Sequence, residues 1–327
     1  MTEDLLLNCG GKNFSPHSQR LIYKQWSIKV MKFRVSTLTR LAIICAFALI
    51  MSAFATVPQA KTSLDKMKPE EVVAKHLESI GTAEARAKIK SRIVLGNAVG
   101  TFRVGGVGTS QGGAVMASQG TRSLIAIIYG NKEYPYEKLG FDGKAVTVAD
   151  LKPGVHSTLG KFFMQYEMPL RDGLLGGTLS AAWPLLNLSA SDAKLKYAGT
   201  KKLGDRKVHV LEYEGKNNTG LKTTLFFDAD TFQHVRTEYE RRLPQQMPSG
   251  PSITQQQGDA ITKLVEEFSD FKTESGLNLP HTYKLQLSIE SLNERRLQDW
   301  VFTLATFNFN REIEDSQFDV RGTGSKS

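Results

Sequence analysis

Cysteine is almost absent from the 327-residue chain: there are two, Cys9 and Cys45, both among the first 55 residues. No thiol nucleophile, disulfide framework or cysteine-bound zinc can be built from the remainder. Histidine is nearly as sparse, with six in all, and His209, His234 and His281 have neither HxxxH nor HxH spacing. Gly108-Thr109-Ser110-Gln111-Gly112 has the Gly-x-Ser-x-Gly letters, but it lies inside a glycine-dense strand-like run with no helical pattern after it, and the elbow of hydrolases requires that helix. Residues Gly96–Gly120 are glycine-dense, yet they lack the Gly-Lys-Ser/Thr ending of a phosphate loop and the third glycine of the dinucleotide fingerprint. Asp228 and Asp230 have no third acid close by and fall in an expected turn, where aspartate is favoured for bonding the backbone. No catalytic set, metal site or cofactor site emerges, and a non-enzymatic protein without cofactor is expected.

The chain also lacks an apolar run of the ~20 residues that a membrane-spanning helix needs. Leu41–Phe54 is shorter, follows the basic residues Lys32, Arg34 and Arg40, and leads into Ala53-Phe54-Ala55. Those are the three parts of a secretory signal peptide. Cleavage is expected after Ala55, with Met31 as the true start, residues 56–68 as a tether, 69–320 as a single domain and 321–327 as a disordered tail. Charge of one sign is scarce as well. The first 55 residues hold seven Lys/Arg and two acids, so they carry +5 of the net +9 and leave +4 on the exported part. That balance does not call for nucleic acid.

What the chain has in quantity is β patterning. Lys201–Arg242 contains three strand-like runs, Lys207–Glu214, Leu221–Phe227 and Gln233–Arg241, joined by turn residues. In the third, Val235, Thr237 and Tyr239 alternate with Arg236, Glu238 and Glu240, the period of a strand with one dry face. Ile89–Leu95 alternates too, Ile89, Ser91, Ile93 and Leu95 against Lys90, Arg92 and Val94. The glycines that follow fit a strongly curved strand pair. Ser123–Tyr129 is apolar on both faces and needs cover on both. Tyr136–Phe141 and Lys144–Val148 flank Asp142-Gly143, a hairpin signal. Ile261–Phe271, Tyr283–Ile289 and Trp300–Phe309 complete the strands, with Leu243–Gln257 as a polar loop and Pro280 at a strand entry.

Two helical stretches interrupt this pattern. Pro69–Gly81 has helix punctuation and one apolar stripe of Val72, Val73, His76, Leu77 and Ile80, in which His76 reads as a hydrogen-bonded core residue. His156–Leu188 turns helical, is broken at Pro169, Gly176-Gly177 and Pro184, and is very apolar. Such a segment is a cover over one sheet face; a movable lid and a fixed plug both remain open. The surplus apolar surface predicts a cavity for acyl chains, since each buried CH₂ contributes about 0.8 kcal/mol. The candidate lining is Val73 and Leu77 from the first helix, Ile125, Ile127 and Phe226 from the wall, and Phe162, Phe163, Leu170, Leu174, Leu175, Leu179, Trp183 and Leu186 from the cover.

Several of these residues resemble the LolA/LolB-like outer-membrane lipoprotein-sorting proteins. They are the helix ending in Ile80-Gly81 before Ile89-Lys90-Ser91-Arg92, the run Gly204-Asp205-Arg206-Lys207-Val208-His209-Val210-Leu211, and the turn Leu225-Phe226-Phe227-Asp228-Ala229-Asp230-Thr231 before Val235-Arg236. Phe268-Ser269-Asp270-Phe271-Lys272 and Gly276-Leu277-Asn278-Leu279-Pro280, with a closing strand ending near Phe318, belong to the same likeness. The resemblance implies a mainly β fold with some α: an incomplete antiparallel β-barrel, a strongly curved sheet covered by short lid helices. It implies a periplasmic, monomeric carrier of lipid or acylated lipoprotein, served by inner- or outer-membrane release and acceptor proteins. Relatives on the same fold act as sensors or scaffolds that bind a partner protein, which is the alternative.

Overall fold

The computed structural model describes residues 67–103, 105–216, 220–245, 258–291 and 295–321. The leader, its cleavage site, and nearly all of the expected tether and tail lie outside the described residues. Helix α1 (Pro69–Ile80) is followed by a short α2 (Ala83–Lys88). Twelve strands then form one antiparallel sheet. The first five are β1 (Ser91–Arg103), β2 (Val107–Gln119), β3 (Arg122–Ile128), β4 (Tyr136–Phe141) and β5 (Val146–Val148). The other seven are β6 (Lys194–Leu203), β7 (Arg206–Glu214), β8 (Lys222–Asp228), β9 (His234–Gln245), β10 (Gly258–Glu274), β11 (Leu277–Glu290) and β12 (Arg295–Phe309).

Their order across the sheet is β5-β4-β3-β2-β1-β12-β11-β10-β9-β8-β7-β6. Every pair of neighbours is adjacent in sequence except β1 and β12. The sheet is therefore two meanders joined by that one pair, with β5 and β6 left as edges, so the barrel is incomplete. The segment linking the meanders carries α3 (Thr158–Gln165), α4 (Met168–Arg171) and two 3-10 turns, Gly177–Leu179 and Pro184–Ala190. This is the cover anticipated from His156–Leu188. It packs with α1 and one sheet face into a single core that includes Val72, Leu174, Leu225, Tyr283 and Trp300. A fully buried side chain of this size contributes ~1.5–3 kcal/mol, so this face is where the fold's apolar stabilisation concentrates.

Close backbone approach accounts for one glycine in each of β1 and β2. A Cβ at Gly96 would lie 2.1 Å from the Thr303 carbonyl oxygen, and one at Gly112 would lie 2.0 Å from that of Ile128. Gly96 also stands at a register shift between β1 and β12, where the strand bends. The second face of β3 finds its cover in the C-terminal segment: Leu124 packs against Phe318 and Val320.

The structure departs from the sequence pattern at six places. In β1 the dry parity is Arg92 and Val94, both buried, whereas Leu95 is exposed; the arginine faces inward because the cover offers it carbonyl oxygens. Val235 is the extra residue of a bulge, since Phe226 pairs with Arg236 and Phe227 with His234; His234 takes the inward place beside Thr237 and Tyr239. Strand β6, which the sequence pattern did not disclose, is an edge laden with Lys194, Lys196, Lys201 and Lys202, and charge there masks the alternation. Strand β9 continues through Leu243 to Gln245 instead of entering a loop at Leu243, and 246–257 lie outside the described residues. Pro280 lies within β11 opposite Phe271, and the last strand ends at Phe309, with a 3-10 turn at Asp315–Phe318.

Candidate functional site

The covering segment is apolar towards the sheet and fastened to it by discrete polar contacts. Ser157 caps α3, accepting from the Gly160 amide at 2.8 Å, and its hydroxyl donates to Glu137 Oε2 at 2.8 Å. The Tyr134 hydroxyl donates to the other Glu137 oxygen. After α4, Asp172 accepts from the Tyr213 hydroxyl at 3.2 Å. The Gly176 amide, in a left-handed turn at φ +83°, donates to Glu266 Oε1 at 2.7 Å. Glu266 also accepts from Tyr283 at Oε1 and Tyr239 at Oε2, both at 2.8 Å.

The Arg92 guanidinium donates to the Thr178 and Ser180 carbonyls of the cover. It is 2% exposed, and among the described residues no carboxylate pairs with it. The Ala181 amide donates to Ser118 Oγ at 2.8 Å. Trp183 Nε1 donates to His76 Nε2 at 3.2 Å, while His76 Nδ1 meets the Phe232 carbonyl at 3.0 Å. A carbonyl only accepts, so Nδ1 carries the proton and the ring is neutral; burial lowers its pKa to about 4. His76 is thus a hydrogen-bonded core residue. His234 stacks on Trp183 at 4.7 Å.

Burial sets the electrostatics. It pushes the carboxyl groups of Glu137 and Glu266 up to about 7, outweighing the hydrogen bonds that favour their charged forms. It raises Asp172 as well and lowers Arg92 to about 10. Folded protein therefore holds protons on Glu137 and Glu266 between their ordinary 4.5 and about 7, where the unfolded chain has released them. The stabilisation is fully present below that window and is lost as pH rises through about 7, by roughly 3 kcal/mol per group. The melting temperature should accordingly fall between about pH 5 and pH 7.5; a rise over that interval would contradict the buried, proton-holding state of the two carboxyls.

Ten of the thirteen sequence-predicted lining residues come together in the core between cover and sheet: Val73, Ile125, Ile127, Phe162, Phe163, Leu170, Leu174, Leu175, Leu179 and Trp183. Leu77 and Leu186 are half-buried against it. Phe226 is not among them. It lies in a separate cluster with Val208, Val210 and Val235, because the inward positions of β8 are those of Leu225 and Phe227. The space left between Met116, Ile125, Leu175 and Leu179 is about 10 Å³, one water's worth at most and far too little for a hydrocarbon chain. The hollow expected there is absent among the described residues: the cover's own side chains fill it. Arg92, Glu137, Asp172 and Glu266 are the site residues that the sequence reading missed.

Among the described residues no group of three or more His, Cys, Asp or Glu could hold a metal ion. Asp228 instead accepts from the amides of Asp230 and Thr231, at 3.0 and 2.9 Å, as an aspartate-closed turn. No described helix is long and apolar enough to cross a membrane.

No family model and no curated protein matches the chain. Solved structures do. A LolA superfamily protein from Nitrosomonas europaea is similar at 13% identity over 77% of this chain and 98% of that one, with a TM-score of 0.42. A putative outer membrane lipoprotein-sorting protein domain from Vibrio parahaemolyticus is similar at 11% identity over 75% and 97%, with a TM-score of 0.33. The MucA/MucB complex from Pseudomonas aeruginosa gives 11% over 73% and 99%, with a TM-score of 0.19. At these identities and TM-scores, what those proteins bind is no guide to this chain's ligand.

Proposed function

We propose that the chain is a non-enzymatic periplasmic carrier that takes the acyl chains of a lipid or an acylated lipoprotein against the sheet face now occupied by the cover. In this reading the segment 157–188 is a lid. It and the acyl chain compete for the same surface, and delivery runs towards the outer membrane through release and acceptor proteins at the two membranes. The observation that carries the reading is the construction of the lid. Its contact with the sheet is apolar, and its fastenings are a few separable hydrogen bonds at Glu137, Asp172, Glu266, Arg92, Ser118 and His76. A hydrocarbon chain that replaces the lid keeps the face dry, at about 0.8 kcal/mol per buried CH₂. Gly176 and Gly177, both at positive φ, and the prolines at 169 and 184 divide the lid into pieces that move separately.

The residues assigned to acyl contact are Val73, Leu77, Ile125, Ile127, Phe162, Phe163, Leu170, Leu174, Leu175, Leu179, Trp183 and Leu186. Native mass spectrometry of the protein isolated from its producing cells should show adducts of acyl-lipid mass, lost on collisional activation. Bare protein, both as isolated and after incubation with phospholipid vesicles, would remove the carrier reading and leave a β scaffold that acts through its outer surface.

A further inference from the structure

Three local irregularities converge on one concavity away from the lid's contact with β2 and β3. The pairing of β6 with β7 lapses between Tyr197 and Thr200, and Gly199 there adopts φ +87°. Phe232, in the turn between β8 and β9, sits at φ +56°, a left-handed region strained for a bulky residue. Its carbonyl is held by His76 and Ser79 of α1, which fixes the backbone and leaves the ring to line the concavity. The ring stacks on His209 at 5.1 Å and 16°, and Lys75 Nζ lies 4.8 Å over its centre. His209 Nδ1 bonds the Tyr197 hydroxyl at 3.0 Å. The cavity so formed measures about 560 Å³, within the ~300–1,000 Å³ range of small-molecule sites.

Its charges are balanced and of both signs. Lys75 and Lys207 line it with Glu71 and Asp230. Among the described residues neither lysine pairs with a carboxylate, and Asp230 pairs with no cation. Glu71 gives one oxygen to the Lys68 amide at 3.3 Å. Burial and the two lysines depress the His209 pKa, so the imidazole is a neutral hydrogen-bonding group at neutral pH. An anion alone would meet the two acids, and a cation alone the two lysines. A ligand carrying both signs satisfies all four, and the aromatic floor suits its methylene links.

We propose that this concavity is a binding site for a zwitterionic head group, with anionic phosphate oxygens on Lys75 and Lys207 and an ammonium on Glu71 and Asp230. The site goes beyond the acyl-chain reading and stands without it, since a soluble head-group compound requires no lid movement. Such a group reaches the protein either on a phospholipid or as a free solute, and the two sources are separable.

The test is calorimetric titration of the full chain with glycerophosphoethanolamine, glycerol phosphate and ethanolamine. The zwitterion should bind about tenfold or more tighter than either fragment, the worth of one further charge-assisted hydrogen bond. Lys207→Ala and Asp230→Ala, both at exposed positions, should each lose about tenfold in affinity with unchanged melting temperature. Lys216→Ala, which removes only a surface pair with Asp192, should bind as the parent does. Competition by phosphatidylethanolamine vesicles, absent with phosphatidylglycerol vesicles, assigns the site to a lipid head; binding of the solute without such competition assigns it to a free small molecule. Equal affinity for glycerol phosphate and the zwitterion, or no binding of any of the three at millimolar concentration, would overturn the proposal.

Discussion

Glu266→Leu should destabilise the folded chain by about 3–5 kcal/mol, because it strands three donors in a dry interior at ~1–3 kcal/mol each. Those donors are the hydroxyls of Tyr239 and Tyr283 and the amide of Gly176. Two belong to the sheet and one to the lid, so the loss has a local part: the lid frays before the sheet melts. Urea denaturation at a fixed pH near 6 measures the whole effect, and limited proteolysis within 157–188 measures the local one. Glu266→Gln keeps a carbonyl acceptor and removes the titration. It should lose less stability than the leucine variant and show about half the pH dependence expected of the pair Glu137 and Glu266. Adding Tyr283→Phe to Glu266→Leu should recover part of the loss, since one stranded hydroxyl goes with it. A leucine variant within about 1 kcal/mol of the parent, or one with an unaltered pH profile, would mean that Glu266 does not fasten the lid.

Much of the architecture could be read from residue patterns, and the exceptions have physical causes. Strands with one wet and one dry face, such as β11 with Leu277, Leu279, Tyr283, Leu285 and Leu287 buried, announce themselves by period. The lid announces itself by apolar density broken at Pro169, Gly176-Gly177 and Pro184. Charged residues that turn inward defeat the same logic. Nothing in Ile89–Leu95 says that the Thr178 and Ser180 carbonyls will stand above Arg92 and draw it inward. Glu266 is the more legible of the two: it shares the parity of Leu264 and Phe268 in β10, which is the signal of a buried acid in an amphipathic strand. Phe226 faces away by plain alternation between the inward Leu225 and Phe227 of an all-apolar run, whereas Val235 changes face for a different reason. A bulge shifts parity by one residue, and no local composition marks where the bulge between β8 and β9 falls.

Lid displacement is the other expectation with a large effect, and it is all-or-none. Ser118 Oγ on β2 accepts from the Ala181 amide of the lid at 2.8 Å, so a cysteine pair at these two positions is the cross-link to build, its formation checked by thiol titration. The bond would tie the lid to the sheet close to the crevice bounded by Leu175 and Leu179 while leaving the outer surface unaltered. The decisive measurement is uptake of a fluorescent acyl lipid from vesicles by the Ser118→Cys/Ala181→Cys protein, oxidised and then reduced. If sheet and lid part to admit a hydrocarbon chain, the oxidised form takes up no lipid, reduction restores uptake, and the parent protein is indifferent to the oxidant. Equal uptake with the disulfide formed and broken would contradict the exchange of lid for acyl chain.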